Sequence, residues 1–354
     1  MVPLSFPIPY DVLCAIIEHV EFETLKEVAL VSRDLHHEAS KRLWRTISIQ
    51  THNLEGPHNL WTHLRTAASI ISREGRAQHL RDLRLGLEGS LGTREEAEAV
   101  IRELFSSLRL ATNLSSIRLD VFRRTPCKLV LDSFGIYGVA PRLDHIILSE
   151  PMGLAIMKDH DFWRSRPTIK SLKWEHYGRG FHLSPKSPPL PLPFLETVQL
   201  GRVEHSSILQ ACPVTNLTVG IMENDDCGIL LENIRSSTAD LLHLRVRLCQ
   251  TPDIFPSVIR HLPRLQSLAI NHFTIDLDDA ELLDVLTSLC DLVHLELSGD
   301  RDSRFSERFM ACAHRFKSLQ RVDVRQHIPE ISHTYGRDDA GCWITYSSYH
   351  LTVL

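Results

Sequence analysis

Apolar residues along most of this chain recur at one spacing, Leu-x-x-Leu-x-Leu, with other apolar side chains allowed at each position. The pattern occurs at Leu80/Leu83/Leu85, Leu114/Ile117/Leu119, Leu143/Ile146/Leu148, Ile169/Leu172/Trp174 and Leu195/Val198/Leu200. It continues at Val214/Leu217/Val219, Leu241/Leu244/Val246, Leu265/Leu268/Ile270, Leu292/Leu295/Leu297 and Leu319/Val322/Val324. Successive starts lie 19 to 34 residues apart, most of them 24 to 29. Alternate residues of a strand point to opposite faces, so the last two apolar residues of each triplet predict a short strand with one buried face. The first residue anchors the turn that leads into it. Between triplets the period changes to that of a helix. TREEAEAVIRELFSSL opens with Thr93 and Glu96 at capping-box spacing and places Ala97, Val100, Ile101, Leu104, Phe105 and Leu108 on one side. DLDDAELLDVLTSLC repeats the arrangement, with Asp278 as its cap and Leu282, Leu283, Leu286 and Leu289 as its stripe. A strand and a helix per unit, repeated in series, predict an α/β solenoid of parallel strands in which each unit is stabilised by its neighbours.

Over residues 80–325 this repeat resembles the leucine-rich-repeat proteins. The resemblance implies parallel strands on a concave face and helices outside. The Asn or Cys that the family places after its strand is mostly missing here, so the repeats are degenerate. Residues between the core positions should line the exposed sheet face. For the early strands these are Arg84, Arg118, Lys173 and Glu175. For the late ones they are His243, Arg245, Arg247, Asn271, His294, Glu296, Arg321, Asp323 and Arg325. Guanidinium groups make forked hydrogen bonds to carboxylates and phosphates. His243, Arg245, Arg247, His294, Arg321 and Arg325 are therefore candidate substrate-binding residues for an acidic or phosphorylated segment; the alternative is a solvated sheet face. Past Arg325 the pattern fades, and residues 326–354, with Trp343, Tyr346 and Tyr349, are expected to cap the array.

Residues 1–49 show helical periodicity in three blocks. Pro9 can open the first at its initial helical position, with Val12, Leu13, Ile16, Ile17 and Val20 as its apolar face. Thr24 and Glu27 have capping-box spacing for the second, and Ser32 is placed to cap the third, which carries Leu35, Ala39, Leu43 and Trp44. The order IPYDVL, then ALVSRDL, then LWRTISI resembles the F-box, a three-helix module followed by a strand, with Ile8, Asp11 and Ser32 as mild departures. The resemblance implies docking onto a Skp-type adaptor, and through it a cullin and a RING subunit, while the remainder of the chain captures a protein substrate. Carried over by position, the adaptor contacts would be Pro9, Leu13, Ile16, Ile17, Leu30 and Val31. A small module cannot bury every apolar residue, so some should face a partner. They could equally pack on the first repeat. Residues 50–79 are expected to be a helical junction.

Composition adds limits. The chain has 354 residues, 43% hydrophobic and 23% charged, which is ordinary for a globular protein. Its net charge of -5 gives no electrostatic reason to bind nucleic acid. The first twenty residues lack a cationic leader and are interrupted by Asp11 and Glu18, and nothing further on reads as a membrane span. Eight cysteines without a CxxC pair suggest reduced thiols and a cytoplasmic or nuclear setting. Phosphate-loop, dinucleotide, hydrolase-elbow and zincin motifs do not occur. His36 and His37 are neighbours that point in different directions on a helix, and Asp159-His160-Asp161 reads as a polar turn. Ser184–Pro193, rich in proline, reads as a stiff loop. No cofactor, metal or catalytic residue is expected. The resemblance to the F-box and leucine-rich-repeat families implies a substrate-recognition subunit of a ubiquitin ligase; the alternative is a protein-interaction scaffold, built on leucine-rich repeats, that works without one.

Overall fold

Each apolar triplet becomes a strand with its leading turn. The computed structural model describes residues 9–50, 57–73, 76–87, 93–121, 124–156, 159–175, 192–222, 226–248, 255–271, 280–299, 311–327, 330–338 and 341–349. Asp278 and residues 184–191 of the proline-rich segment lie outside them. No position of any triplet is more than 5% exposed. Burying three apolar side chains per unit, at roughly 1.5–3 kcal/mol each, is the principal force holding each unit to the next. The chain divides into two compact units, Met1–Arg166 and Pro167–Leu354. That division falls within the stretch that carries the apolar repeat.

The first unit begins with helices α1 (Tyr10–His19), α2 (Phe22–Val28) and α3 (Arg33–Leu43). Ile17, Leu25, Ala29 and Ala39 form their shared interior, flanked by Val20, Val28, Leu35 and Leu43. Ser32 caps α3 as expected, accepting from the Leu35 N–H at 3.2 Å. Two expectations need correction. Pro9 occupies the position before the helix, where its missing N–H is equally harmless. Thr24 caps nothing, because α2 already starts at Phe22 and Thr24 sits within its first turn.

Then come β1 (Thr46–Gln50), α4 (Pro57–Ser72), β2 (Asp82–Leu87), α5 (Arg94–Leu108), β3 (Ser116–Val121), α6 (Arg124–Tyr137), β4 (His145–Ser149), α7 (Glu150–Ile156) and α8 (His160–Arg164). The four strands are parallel and ordered as in the chain. Ile47, Leu83, Ile117 and Ile146 form one cross-strand row, and Ile49, Leu85, Leu119 and Leu148 the next. So β1, which follows the N-terminal helices directly, is already the first rung of the ladder. α4 occupies the expected junction and buries Trp61, Leu64, Ala68 and Ile71 along one side. α5 carries the Thr93/Glu96 capping box and buries all six residues of its predicted stripe.

The second unit contains β5 (Ser171–Glu175), β6 (Thr197–Arg202), β7 (Asn216–Met222), α9 (Asp226–Arg235), β8 (His243–Leu248), α10 (Phe255–Arg260), β9 (Ser267–Asn271), α11 (Ala280–Ser288), β10 (His294–Gly299) and β11 (Arg321–His327). β5 to β11 are parallel and in chain order. Leu172, Val198, Leu217, Leu244, Leu268, Leu295 and Val322 align in a single row. The 19-residue interval is short because its connection is a 3-10 turn, Val203–Leu209. The unit ends with β12 (Glu330–Arg337) and β13 (Trp343–Tyr349), which turn antiparallel on β11. In both units one carbonyl just before each strand accepts the first two N–H groups of the next. Arg81 receives Ser115 and Ser116, and Thr215 receives Leu242 and His243, at 2.9–3.0 Å. The fold is α/β with mostly parallel strands.

Candidate functional site

Alternation along β8, β10 and β11 turns Leu244, Val246, Leu295, Leu297, Val322 and Val324 inward and leaves the residues between them on the other face. Two aligned rows of that face carry a polar network. The first runs His243, Ser267, His294, Arg321, and the second Arg245, Ala269, Glu296, Asp323. Arg245 donates to Glu296 at 2.7 Å across the intervening strand, where the small side chain of Ala269 leaves room for it. Arg325 approaches the other Glu296 oxygen at 3.6 Å. His294 Nε2 lies 2.8 Å from Asp323, and its Nδ1 lies 3.3 Å from Ser267 Oγ. Arg321 and Thr334 also donate to Asp323, at 3.1 and 2.8 Å. Burial pushes the Asp323 carboxyl up. The hydrogen bonds from Arg321, His294 and Thr334 outweigh that effect and hold it below the ordinary carboxylate range.

All six predicted substrate-binding residues therefore share one face of the second unit. His243, Arg245, Arg247, Arg321 and Arg325 are exposed, and His294 is half-buried. The sequence also placed Glu296 and Asp323 here, but not as the groups that fix the arginines. On the early strands two cations pair instead within their own strand, Lys173 with Glu175 at 2.7 Å and Arg118 with Asp120 at 2.6 Å.

In the first unit, α1 has two apolar sides. Ile17 and Val20 face the interior, whereas Val12 and Ile16, one turn apart, are exposed. Leu30 and Val31, in the turn after α2, are 86% and 73% exposed, and Phe22 is exposed as well. Of the six predicted adaptor contacts, Pro9, Ile16, Leu30 and Val31 are exposed and Leu13 is half-buried. Ile17 is a correction: it belongs to the interior of the three helices and offers no surface to a partner. Behind this surface the helices are tied by polar contacts between residues 22 to 28 positions apart, reinforced by one i,i+3 pair inside α3. Glu38 accepts from Tyr10 and, at 2.6 Å, from Lys41, while Arg42 donates to the carbonyls of Ile17 and Val20 at the end of α1.

Other groups singled out by the sequence have structural roles. Asp159 caps α8 by accepting from the Phe162 N–H at 3.0 Å, so it starts a helix where a turn was expected. His36 Nδ1 contacts the Ala29 carbonyl at 3.1 Å, at the end of α2. Burial pushes the Cys127 thiol up to about 12 and those of Cys212 and Cys227 to about 11, which leaves them protonated and unreactive. Among the described residues no group of three or more His, Cys, Asp or Glu side chains could hold a metal ion, and no helix is long and apolar enough to cross a membrane. No family model matches the chain, and no curated protein matches it in sequence.

Proposed function

We propose that this chain is the substrate-recognition subunit of a Skp–cullin–F-box type ubiquitin ligase, built as an F-box-like three-helix module and a leucine-rich-repeat-like solenoid. In this reading the N-terminal helices bind a Skp-type adaptor and the exposed sheet face binds the substrate protein. One observation carries it. A module that buries Ile17, Leu25, Ala29 and Ala39 leaves Leu30, Val31 and Ile16 in solvent, and this exposed apolar surface supports the reading of a partner-binding face. No bond is made or broken by this chain. Its contribution is positional, because holding substrate and ligase together raises their effective concentration.

The test is capture of purified Skp-type adaptor by the full chain, compared with Ile16→Glu, Leu30→Glu and Val31→Glu. These residues are exposed, so the variants should fold; removing apolar anchors from a small interface should weaken capture by roughly tenfold or more each. A folded wild-type chain that captures no adaptor would exclude the ligase reading. What then remains is a protein-interaction scaffold that uses the same sheet face.

A further inference from the structure

The chain as a whole is acidic, with a net charge of -5, yet β8, β10 and β11 carry four arginines against two carboxylates. The carboxylates lie underneath. The side chains of Glu296 and Asp323 are 7% and 10% exposed, while those of Arg245, Arg325 and Arg321 are 50%, 60% and 61% exposed. The acids thus hold the guanidiniums in place and leave their remaining N–H groups directed to solvent. Beside this pair of rows runs a third. Arg247 pairs with Asn271, Ser298 pairs with Arg325, and Asn271 and Ser298 directly follow the paired Ile270 and Leu297. That row contains no carboxylate, and Arg247 makes no ion pair with any described residue. With strands ~4.8 Å apart, its two arginines are anchored ~14 Å apart. Four extended residues span about the same distance.

We propose that this face binds an extended acidic segment of a partner protein, whose Asp and Glu side chains accept from Arg245, Arg247 and Arg325. The inference rests on the reading of the sheet as the capture surface. Arg245 and Arg325 share Glu296, so the positive potential is moderate and spread over two adjacent rows. Such a field suits single carboxylates distributed along a chain better than a concentrated phosphate dianion or a polyphosphate backbone.

The experiment is fluorescence anisotropy of the full chain with a labelled peptide of alternating Asp and Glu. Comparison probes of equal length are a Gly-Ser peptide, a doubly phosphorylated Ser peptide and a single-stranded oligonucleotide. The acidic peptide should bind, more weakly as salt rises, and Arg247→Glu should lower its affinity by roughly tenfold or more. Because Arg247 pairs with no described carboxylate, this variant keeps the fold; Arg245→Glu with Arg325→Glu is the second variant. Absent acidic-peptide binding, unchanged affinity in both variants, or clear preference for the phosphopeptide or oligonucleotide would overturn the proposal. Adaptor capture measured on the same proteins separates the two readings. Peptide binding without adaptor capture removes only the ligase; adaptor capture without peptide binding removes only the acidic ligand.

Discussion

Asp323 joins three strands through one carboxylate, accepting from Arg321 on its own strand, Thr334 on β12 and His294 on β10. Its carboxyl is held below the ordinary range in the folded chain. The stabilisation is therefore present above the unfolded carboxylate pKa of ~4 and is lost as pH falls through the lower folded value. Asp323→Asn should cost about 1–3 kcal/mol at pH 7 and should flatten the loss of stability between pH 5 and 2, about the carboxylate range. Urea midpoints across that range decide it, and equal acid sensitivity in both proteins would assign the effect elsewhere. Gly220 makes a different point. A Cβ there would sit 2.3 Å from the Gly201 carbonyl oxygen, a backbone atom, at the bulge where β7 shifts register. Gly220→Ala should lose about 1–3 kcal/mol by forcing β6 and β7 apart, seen as a lower thermal midpoint. Alternation alone put Arg245 and Glu296 on one face, but their bond spans 51 positions, and no local spacing encodes it. The Gly220–Gly201 approach likewise exists only once the register of two strands is fixed.

Helix ends show how far local sequence reaches at the next scale. Thr93 and Glu96 form the predicted box at the start of α5, where the Thr93 side chain accepts from the Glu96 N–H. Thr93→Ala should therefore lower stability by about 0.5–2 kcal/mol, measurable as a shift in denaturant midpoint, whereas Thr24→Ala should have no capping effect. The same Thr-x-x-Glu spacing misled at Thr24, since Phe22 begins α2 two residues sooner and turns the pattern into ordinary helix interior. In α1 the apolar stripe is wide enough to serve two surfaces. Periodicity grouped Ile16 with Ile17, but only the position of α3 decides that Ile17 faces inward and Ile16 outward. Arg42 makes that position definite by donating to carbonyls at the end of α1. Arg42→Ala should leave the helical content nearly unchanged but speed amide exchange in the last turn of α1. Unaltered exchange there would show that apolar contacts alone hold the helix.

Across whole units, the strand ladder could be read from sequence because every unit repeats the same local instruction, and neighbours need only copy one register. Leu244, Leu268 and Leu295 align because each occupies the same place in its own triplet. The end of the array carries no such instruction. β12 and β13 lack the triplet, run antiparallel, and were expected only as an unspecified cap. Their role follows from what β11 would otherwise expose. Without β12, β11 would present unpaired N–H and C=O groups along one side, the kind of edge that recruits other chains. Tyr335, fully buried opposite Val322, would be gone, and Thr334 would no longer donate to Asp323. Deleting residues 328–354 should therefore lower the thermal midpoint and turn the chain into concentration-dependent oligomers, detected by size-exclusion chromatography with light scattering. Tyr335→Ala in the full chain separates the two causes. It removes the buried ring but keeps the edge paired, so it should lose about 3–5 kcal/mol, as for large aromatic truncations, and remain monodisperse. If the truncated chain were as stable and as monodisperse as the intact one, the parallel array would be self-sufficient at β11, and the hairpin would have to be explained by a partner.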